Sequence, residues 1–239
     1  MELVKEISLM LEIPSYQEKD HILLAVDCII FGFNGERLNI LCIKRDFEPG
    51  LGKWSLMGGF VGKQESVREA ASRVLETLTG LHNIYMEELN CYGEVNRDPG
   101  GRVVSIAYYA LININQYPKE LLLKHNARWF DADSIPNLIF DHKKMVRMAI
   151  KQLQEKAINH PLGFVLLPKK FTMNQLQTLY EAIFNVKFDQ RNFSRKLFSL
   201  NILRKLNEKD KTSSRKGSFY YIFDEEEYKK LDKQGIQFI

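Results

Sequence analysis

The chain has 239 residues, 45% of them hydrophobic and 27% charged, with 14 Gly and 7 Pro. These values exclude collagen-like, low-complexity and wholly disordered chains, and the length allows one large domain or two modest ones. The net charge of +4 is unevenly spread: residues 1–160 hold 19 basic against 21 acidic side chains, and residues 161–239 hold 15 against 9. The second part is therefore the one suited to a polyanion.

The start, Met1-Glu2-Leu3-Val4-Lys5-Glu6, lacks the basic opening and apolar stretch of a secretory signal, and no run approaches a membrane span. Cys28, Cys42 and Cys91 lie far apart without metal-ligand spacing, so free buried thiols in a reducing cytoplasm are expected. Residues 22–31 are apolar and β-branched without alternation, which predicts a strand buried on both faces. Asn34-Gly35 marks a hairpin turn, and residues 38–43 return as a second strand. Residues 50–62 read as a glycine-rich loop. From Ser66 the period becomes helical, with Val67, Ala70, Ala71, Val74, Leu75 and Leu78 on one face and Gly80 as C-cap. Strands are predicted at 89–95, 103–114 and around Trp129-Phe130, then a helix over 141–157 that turns Met145, Met148, Ala149 and Leu153 inward. His160-Pro161 breaks that helix, and the domain boundary belongs near 158–162.

Beyond the break, Thr172 and Gln175 form the two ends of a capping box that opens a helix carrying Leu176, Leu179 and Ile183. Asp189 caps a second helix, from Gln190 to about Leu200, with Phe193, Leu197 and Leu200 inward. Residues 203–206 and 219–223 are strand-like, separated by a polar loop over 207–218. Two helices about a tight turn, followed by a hairpin, make a winged helix-turn-helix.

The loop and helix over 58–81 carry a motif: Gly59, five residues, Glu65, seven residues, Arg73, then Gly80-Leu81. This frame resembles the Nudix box, whose family hydrolyses nucleoside diphosphates linked to another group with magnesium held by helix glutamates. Carboxylates three and four residues apart converge on one helix face and supply the oxygens that Mg²⁺ requires. Here the corresponding positions hold Val74, Thr77 and Leu78. Glu76 points elsewhere on the helix, and Glu87, Glu88 and Glu94 are the acids left for any other metal arrangement. The expectation is a Nudix fold with no metal, no cofactor and no catalysis. Residues 96–108, Asn-Arg-Asp-Pro-Gly-Gly-Arg-Val-Val-Ser-Ile-Ala-Tyr, are similar to a signature of the Nudix-related transcriptional regulator family. In that family a Nudix domain is fused to a C-terminal winged helix, and residues 167–183 and 191–197 look like its DNA-binding half. The resemblance implies an α+β protein: a Nudix αβα sandwich with a mixed sheet over residues 1–158, and a winged helix DNA-binding domain over 159–239.

Effector contacts are expected from Arg45, Asp46, Glu65, Arg73, Arg97, Asp98 and Arg102, although Glu65 and Arg73 also suit a role in pinning the box loop. DNA contacts are expected from Gln190, Arg191, Asn192, Ser194, Arg195 and Lys196 on the second helix, since Arg and Asn suit base edges and Lys and Ser suit phosphate. Lys209, Lys211, Arg215 and Lys216 in the loop 207–218 would grip the DNA backbone or the minor groove, and Thr172, Asn174 and Gln175 at the start of the first helix would donate to phosphate. A winged helix that binds protein is the runner-up for this half.

The resemblance implies a protein that binds a double-stranded DNA operator and responds to a small-molecule effector; the small footprint of one winged helix calls for a homodimer, and the free thiols for the cytoplasm. Loss of three carboxylates favours a neutral pentose such as L-arabinose, sensed by a repressor of sugar catabolism. The alternatives are a regulator of NAD metabolism that senses ADP-ribose, and a residual hydrolase of nucleotide sugars.

Overall fold

Eleven residues of continuous apolar chain, Leu23–Phe33, form the central strand β1, and the strand is buried where it crosses the middle of the protein. This computed structural model describes residues 20–80, 82, 84–116, 119–212 and 216–232. The N-terminal segment, Leu81 of the box and Arg215 lie outside the described residues.

β1 runs parallel to β6 (Val103–Asn113) along its whole length, from Leu23 beside Val103 to Phe33 beside Asn113. Its other edge is shared. Residues 25–28 pair with β4 (Met57–Phe60) and residues 30–33 pair with β2 (Leu38–Lys44), both antiparallel. Asn34 closes the β1–β2 turn by accepting the amides of Glu36 and Arg37 on Oδ1, at 3.0 and 2.8 Å. β5 (Tyr85–Tyr92) lies antiparallel to β6 at the edge, and β3 (Trp54–Ser55) and β7 (Ala127–Asp131) flank β2. The sheet is mixed, as expected, and has seven strands. Two details differ from the sequence reading. The glycine-rich segment contains β3 and β4, because Gly58 lets β4 approach β1 where a Cβ would stand 2.6 Å from Asp27. The strand expected at 89–95 lies earlier, at 85–92.

Helix α1 (Val67–Thr79) begins at a Ser66–Glu69 capping box and ends at Gly80 in the left-handed conformation. It buries Ala70, Ala71, Val74 and Leu75 against Val26, Cys28, Ile30 and Met57 on one face of the sheet. After the short helix α2 (Lys119–Lys124), the long helix α3 (His142–Asn159) covers the opposite face. Met145, Val146, Ala149 and Leu153 pack there on Ile29, Phe31, Ile40 and Tyr109. Two-sided burial explains why β1 shows no alternation. Met148 is 40% exposed rather than inward, because at 100° per residue it stands roughly 120° from the middle of the buried arc. Cys28 and Cys42 are buried, and burial pushes the Cys42 thiol up to about 12. Cys91, expected to be buried, is exposed on the edge strand.

α3 ends at His160, as Pro161 predicts, and a short helix α4 (Gly163–Leu166) leads into the second half. There β8 (Phe171–Thr172), α5 (Met173–Phe184), α6 (Gln190–Ser199), β9 (Leu203–Asp210) and β10 (Ser218–Phe223) make a helix pair and a three-stranded wing ordered β8-β10-β9. Asn185 at φ 52° makes the tight turn after α5. The wing strands are longer than expected, so the connecting segment shrinks to residues 211–217 and Lys209 stands on β9. The acidic run after residue 223 opens a further helix, α7 (Glu225–Asp232), that the sequence reading did not foresee.

The core does not stop at the boundary. Leu153 and Ala157 of α3 join Leu162, Leu166, Phe171, Leu176, Tyr180, Phe193 and Leu197 in one continuous apolar cluster. At about 1.5–3 kcal/mol for each fully buried large aliphatic side chain, this seam stabilises the packing of one half on the other. No described helix is long and apolar enough to cross a membrane.

Candidate effector cleft and nucleic-acid interface

A cavity of about 340 Å³ opens over the N-terminal half of β1, walled by β4, the segment 45–49 and the loop 97–100. Its floor is a buried polar network centred on Asp27, an acid inside an otherwise apolar strand. Ser105 Oγ donates to Asp27 at 2.6 Å, and Arg97 reaches the same carboxylate at 3.4 Å. Arg97 also donates through Nε and Nη2 to Asp141, at 2.9 and 2.8 Å. The Leu56 amide donates to His142 Nδ1 at 3.1 Å, so the neutral ring carries its proton on Nε2, 3.6 Å from Asp27. Burial lowers the His142 pKa, against the pull of Asp27 and Asp141. Arg97 pairs with both carboxylates, and Ser105 adds a hydrogen bond to Asp27, so each buried charge has a partner.

Of the seven residues expected to touch an effector, Arg45, Arg97 and Asp98 line this cavity. Arg97 is committed to the two aspartates, and Asp98 accepts the Gly100 amide at 2.7 Å. Asp46 is exposed and off the cavity wall. Glu65 and Arg73 hold each other, with Arg73 donating to both Glu65 oxygens at 2.9 and 2.6 Å and to the Phe60 carbonyl at 3.0 Å. The Arg73 hydrogen bonds, then the Gly62 amide, bring Glu65 down to about 2. This pair pins the box loop, the second of the two roles expected of it. Arg102 Nη1 donates to the Gly93 carbonyl at 2.9 Å and so holds the turn between β5 and β6, away from the cavity.

The sequence reading missed Asp27, Phe47, Glu48, Ser105, Phe140, Asp141 and His142. Asp27 carried the signal: a lone acid in a strand buried on both sides demands a partner. Arg45 stands apart from the network. Its guanidinium carbon lies 3.9 Å over the Phe47 ring and 5.8 Å from that of Phe140, and its Nε is buried without a hydrogen-bond partner.

The residues present do not fit a helix-held magnesium ion. Val74 is 4% exposed in the core beside Gly59, Leu78 packs against that core, and Thr77 offers a neutral hydroxyl. Glu87 is engaged by Lys156, Tyr85 and Tyr109. Among the described residues no group of three or more His, Cys, Asp or Glu is placed to hold a metal.

In the second half, Gln190, Arg191, Asn192, Arg195 and Lys196 are exposed on α6, and Ser194 is half-buried between them. Asp189 caps the helix by accepting the Asn192 amide at 2.8 Å, and Phe193 and Leu197 fix its inner face. Arg195 donates to Asn192 Oδ1 at 2.8 Å, which aligns the two side chains on one outward strip. In the wing, the ammonium groups of Lys205 and Lys209 sit 3.5 and 4.4 Å from the Phe219 ring centre, and Lys211 and Lys216 flank the turn at Gly217. Thr172 and Gln175 are spent on each other's amides in the capping box, and Thr172 is buried. Of that trio only Asn174 is exposed for a phosphate.

The NUDIX domain model matches residues 21–149, and the NrtR DNA-binding winged helix domain model matches residues 163–223. Over 214 residues the chain is 28% identical to the ADPR responsive transcriptional repressor NtrR of Acinetobacter baylyi, covering 87% of this chain and 86% of that one. The crystal structure of Shewanella oneidensis NrtR complexed with a 27mer DNA superposes with a TM-score of 0.75 at 26% identity, over 86% of this chain and 95% of that one. The NUDIX domain of the same NrtR complexed with ADP ribose superposes with a TM-score of 0.50 at 26% identity, over 62% and 98% of the two chains. The chain belongs to the Nudix family, in the branch that joins a Nudix domain to an NrtR-type DNA-binding winged helix.

Proposed function

We propose that this protein is a DNA-binding transcriptional repressor whose Nudix domain, residues 1–158, senses ADP-ribose without hydrolysing it and controls a winged helix over residues 159–239. One observation carries the reading. Helix α3 starts at the cleft floor, at Asp141 and His142, and its buried face shares one apolar core with Phe193 and Leu197 of the exposed basic helix α6, so occupancy of the cleft has a mechanical route to α6. The effector named for the Acinetobacter relative, and the ligand of the Shewanella Nudix domain, is ADP-ribose. That favours ADP-ribose over the pentose anticipated from the missing carboxylates, and genes of NAD metabolism over those of sugar catabolism. Val74, Thr77 and Leu78 support the absence of turnover, since none supplies a carboxylate to a metal.

A single winged helix covers a short half-site, so a homodimer on two half-sites gives the specificity a repressor needs. Such a protein works in the cytoplasm, beside the chromosome. Duplexes selected by the protein from a random-sequence library supply the operator for testing. ADP-ribose should lower affinity for these duplexes while L-arabinose does not, and Mg²⁺ with ADP-ribose should release no AMP above background. Release of AMP at ordinary enzyme rates, or a response to arabinose alone, would displace this reading.

A further inference from the structure

We infer that Arg45 is the anion anchor of the cleft, taking the pyrophosphate of its ligand directly and without a divalent cation. The identity of the ligand rests on the ADP-ribose reading; the anchor itself rests on geometry. The cavity wall carries Asp27, Glu48 and Asp98 against Arg45 and Arg97, one acid in excess. Every one of those acids is engaged. Asp27 holds Ser105 and Arg97, Glu48 accepts the Gly50 amide at 2.6 Å, and Asp98 accepts the Gly100 amide at 2.7 Å. Arg97 is consumed by Asp27 and Asp141. Arg45 has no ion-pair partner among the described residues, and its buried Nε has no acceptor.

A buried donor left unpaired is unfavourable unless a ligand completes it. The guanidinium is also preorganised. Phe47 covers one face at 3.9 Å, and the ring of Phe140 lies 5.8 Å from the guanidinium carbon. Stacking engages a face of the guanidinium rather than its N–H groups, and those N–H groups are what match a phosphate fork. At Val74, Thr77 and Leu78 the Nudix helix offers no carboxylate to a metal, and Arg45 supplies the positive charge that a metal would otherwise bring. An arginine does not give up its proton in proteins and so generates no hydroxide. The anchor therefore binds the diphosphate and leaves it intact.

Calorimetric titration of the full-length protein with inorganic pyrophosphate and with ADP-ribose, each in EDTA and in excess Mg²⁺, tests the assignment. Wild type should bind both in EDTA with affinity that Mg²⁺ does not raise. Arg45→Gln should lose on the order of 10- to 150-fold for both, as for a charge-assisted hydrogen bond removed, and Arg45→Lys should recover only part. Circular dichroism of each variant confirms folding. Equal affinity of Arg45→Gln and wild type, or binding that needs Mg²⁺, overturns the anchor while leaving ADP-ribose as effector. Pyrophosphate bound through Arg45 with no binding of ADP-ribose keeps the anchor and discards the effector. Binding of neither discards both.

Discussion

Arg97 and Asp141, 44 residues apart in sequence, are joined by two hydrogen bonds of 2.9 and 2.8 Å. The pair fixes the loop after β5 to the first turn of α3. That helix has 18 residues, about 27 Å at 1.5 Å per residue. Its far end is held as firmly. Gln154 Nε2 donates to the Ile183 carbonyl at 2.9 Å, and the Tyr180 hydroxyl donates to the His160 carbonyl at 3.2 Å. One helix thus touches the cleft floor at its start and the helix-turn-helix at its end.

Arg97→Leu should destabilise the protein by about 3–5 kcal/mol, because it strands Asp27 and Asp141 without a cation. Urea unfolding measures this. Adding Asp141→Asn to the variant should restore part of the loss, whereas simple loss of packing would make the two changes additive.

Stability should also depend on His142. Its folded pKa lies below the ordinary value of 6.5 because burial disfavours the imidazolium. As pH falls below 6.5 the unfolded chain takes up a proton that the folded one resists. The contribution is therefore complete above 6.5 and is lost as pH descends toward the lowered folded value. Denaturant midpoints between pH 7.5 and 5.5 should drop more for wild type than for His142→Gln. Parallel curves would remove His142 as the cause.

Much of this architecture was legible in sequence because local and global signals agree. The β1 run, the Ser66 and Thr172 capping boxes and His160-Pro161 each place an element where the structure has it. The cleft was less legible. Polar residues near a motif read alike in sequence, yet Glu65 with Arg73, and Arg97 with Asp141, turn out to be paired with each other. Such pairing joins elements distant along the chain, and only the fold reveals it. Wing length was also hidden, since residues 207–210 are polar and carry no strand pattern although β9 runs through them and β10 pairs with Lys209 and Asp210.

On α6, Arg191→Ala should weaken binding to a selected duplex by about 1–3 kcal/mol with little effect on random DNA, as expected of a base contact. Lys209→Ala on the wing should weaken both alike and reduce the salt slope by about one. Fluorescence anisotropy across a salt series distinguishes these patterns. If Arg191→Ala also lowers both affinities equally, α6 grips the backbone rather than reading bases.

Gln154→Leu cuts the link from α3 to the end of α5, and should cost only about 1 kcal/mol of stability. Affinity for ADP-ribose alone and for DNA alone should change little, while the effect of one ligand on the other shrinks. Unchanged coupling in this variant would place the communication elsewhere along the shared core.

On this proposal ligand in the cleft and DNA on α6 compete through α3, which starts at the cleft floor and shares one apolar core with α6. The most direct test is titration of ADP-ribose, in EDTA, into a complex of the full-length protein with a fluorescent selected duplex. ADP-ribose should release the duplex, with DNA affinity lowered on the order of 5- to 150-fold at saturation. A duplex affinity that stays the same from zero to saturating ADP-ribose would contradict it.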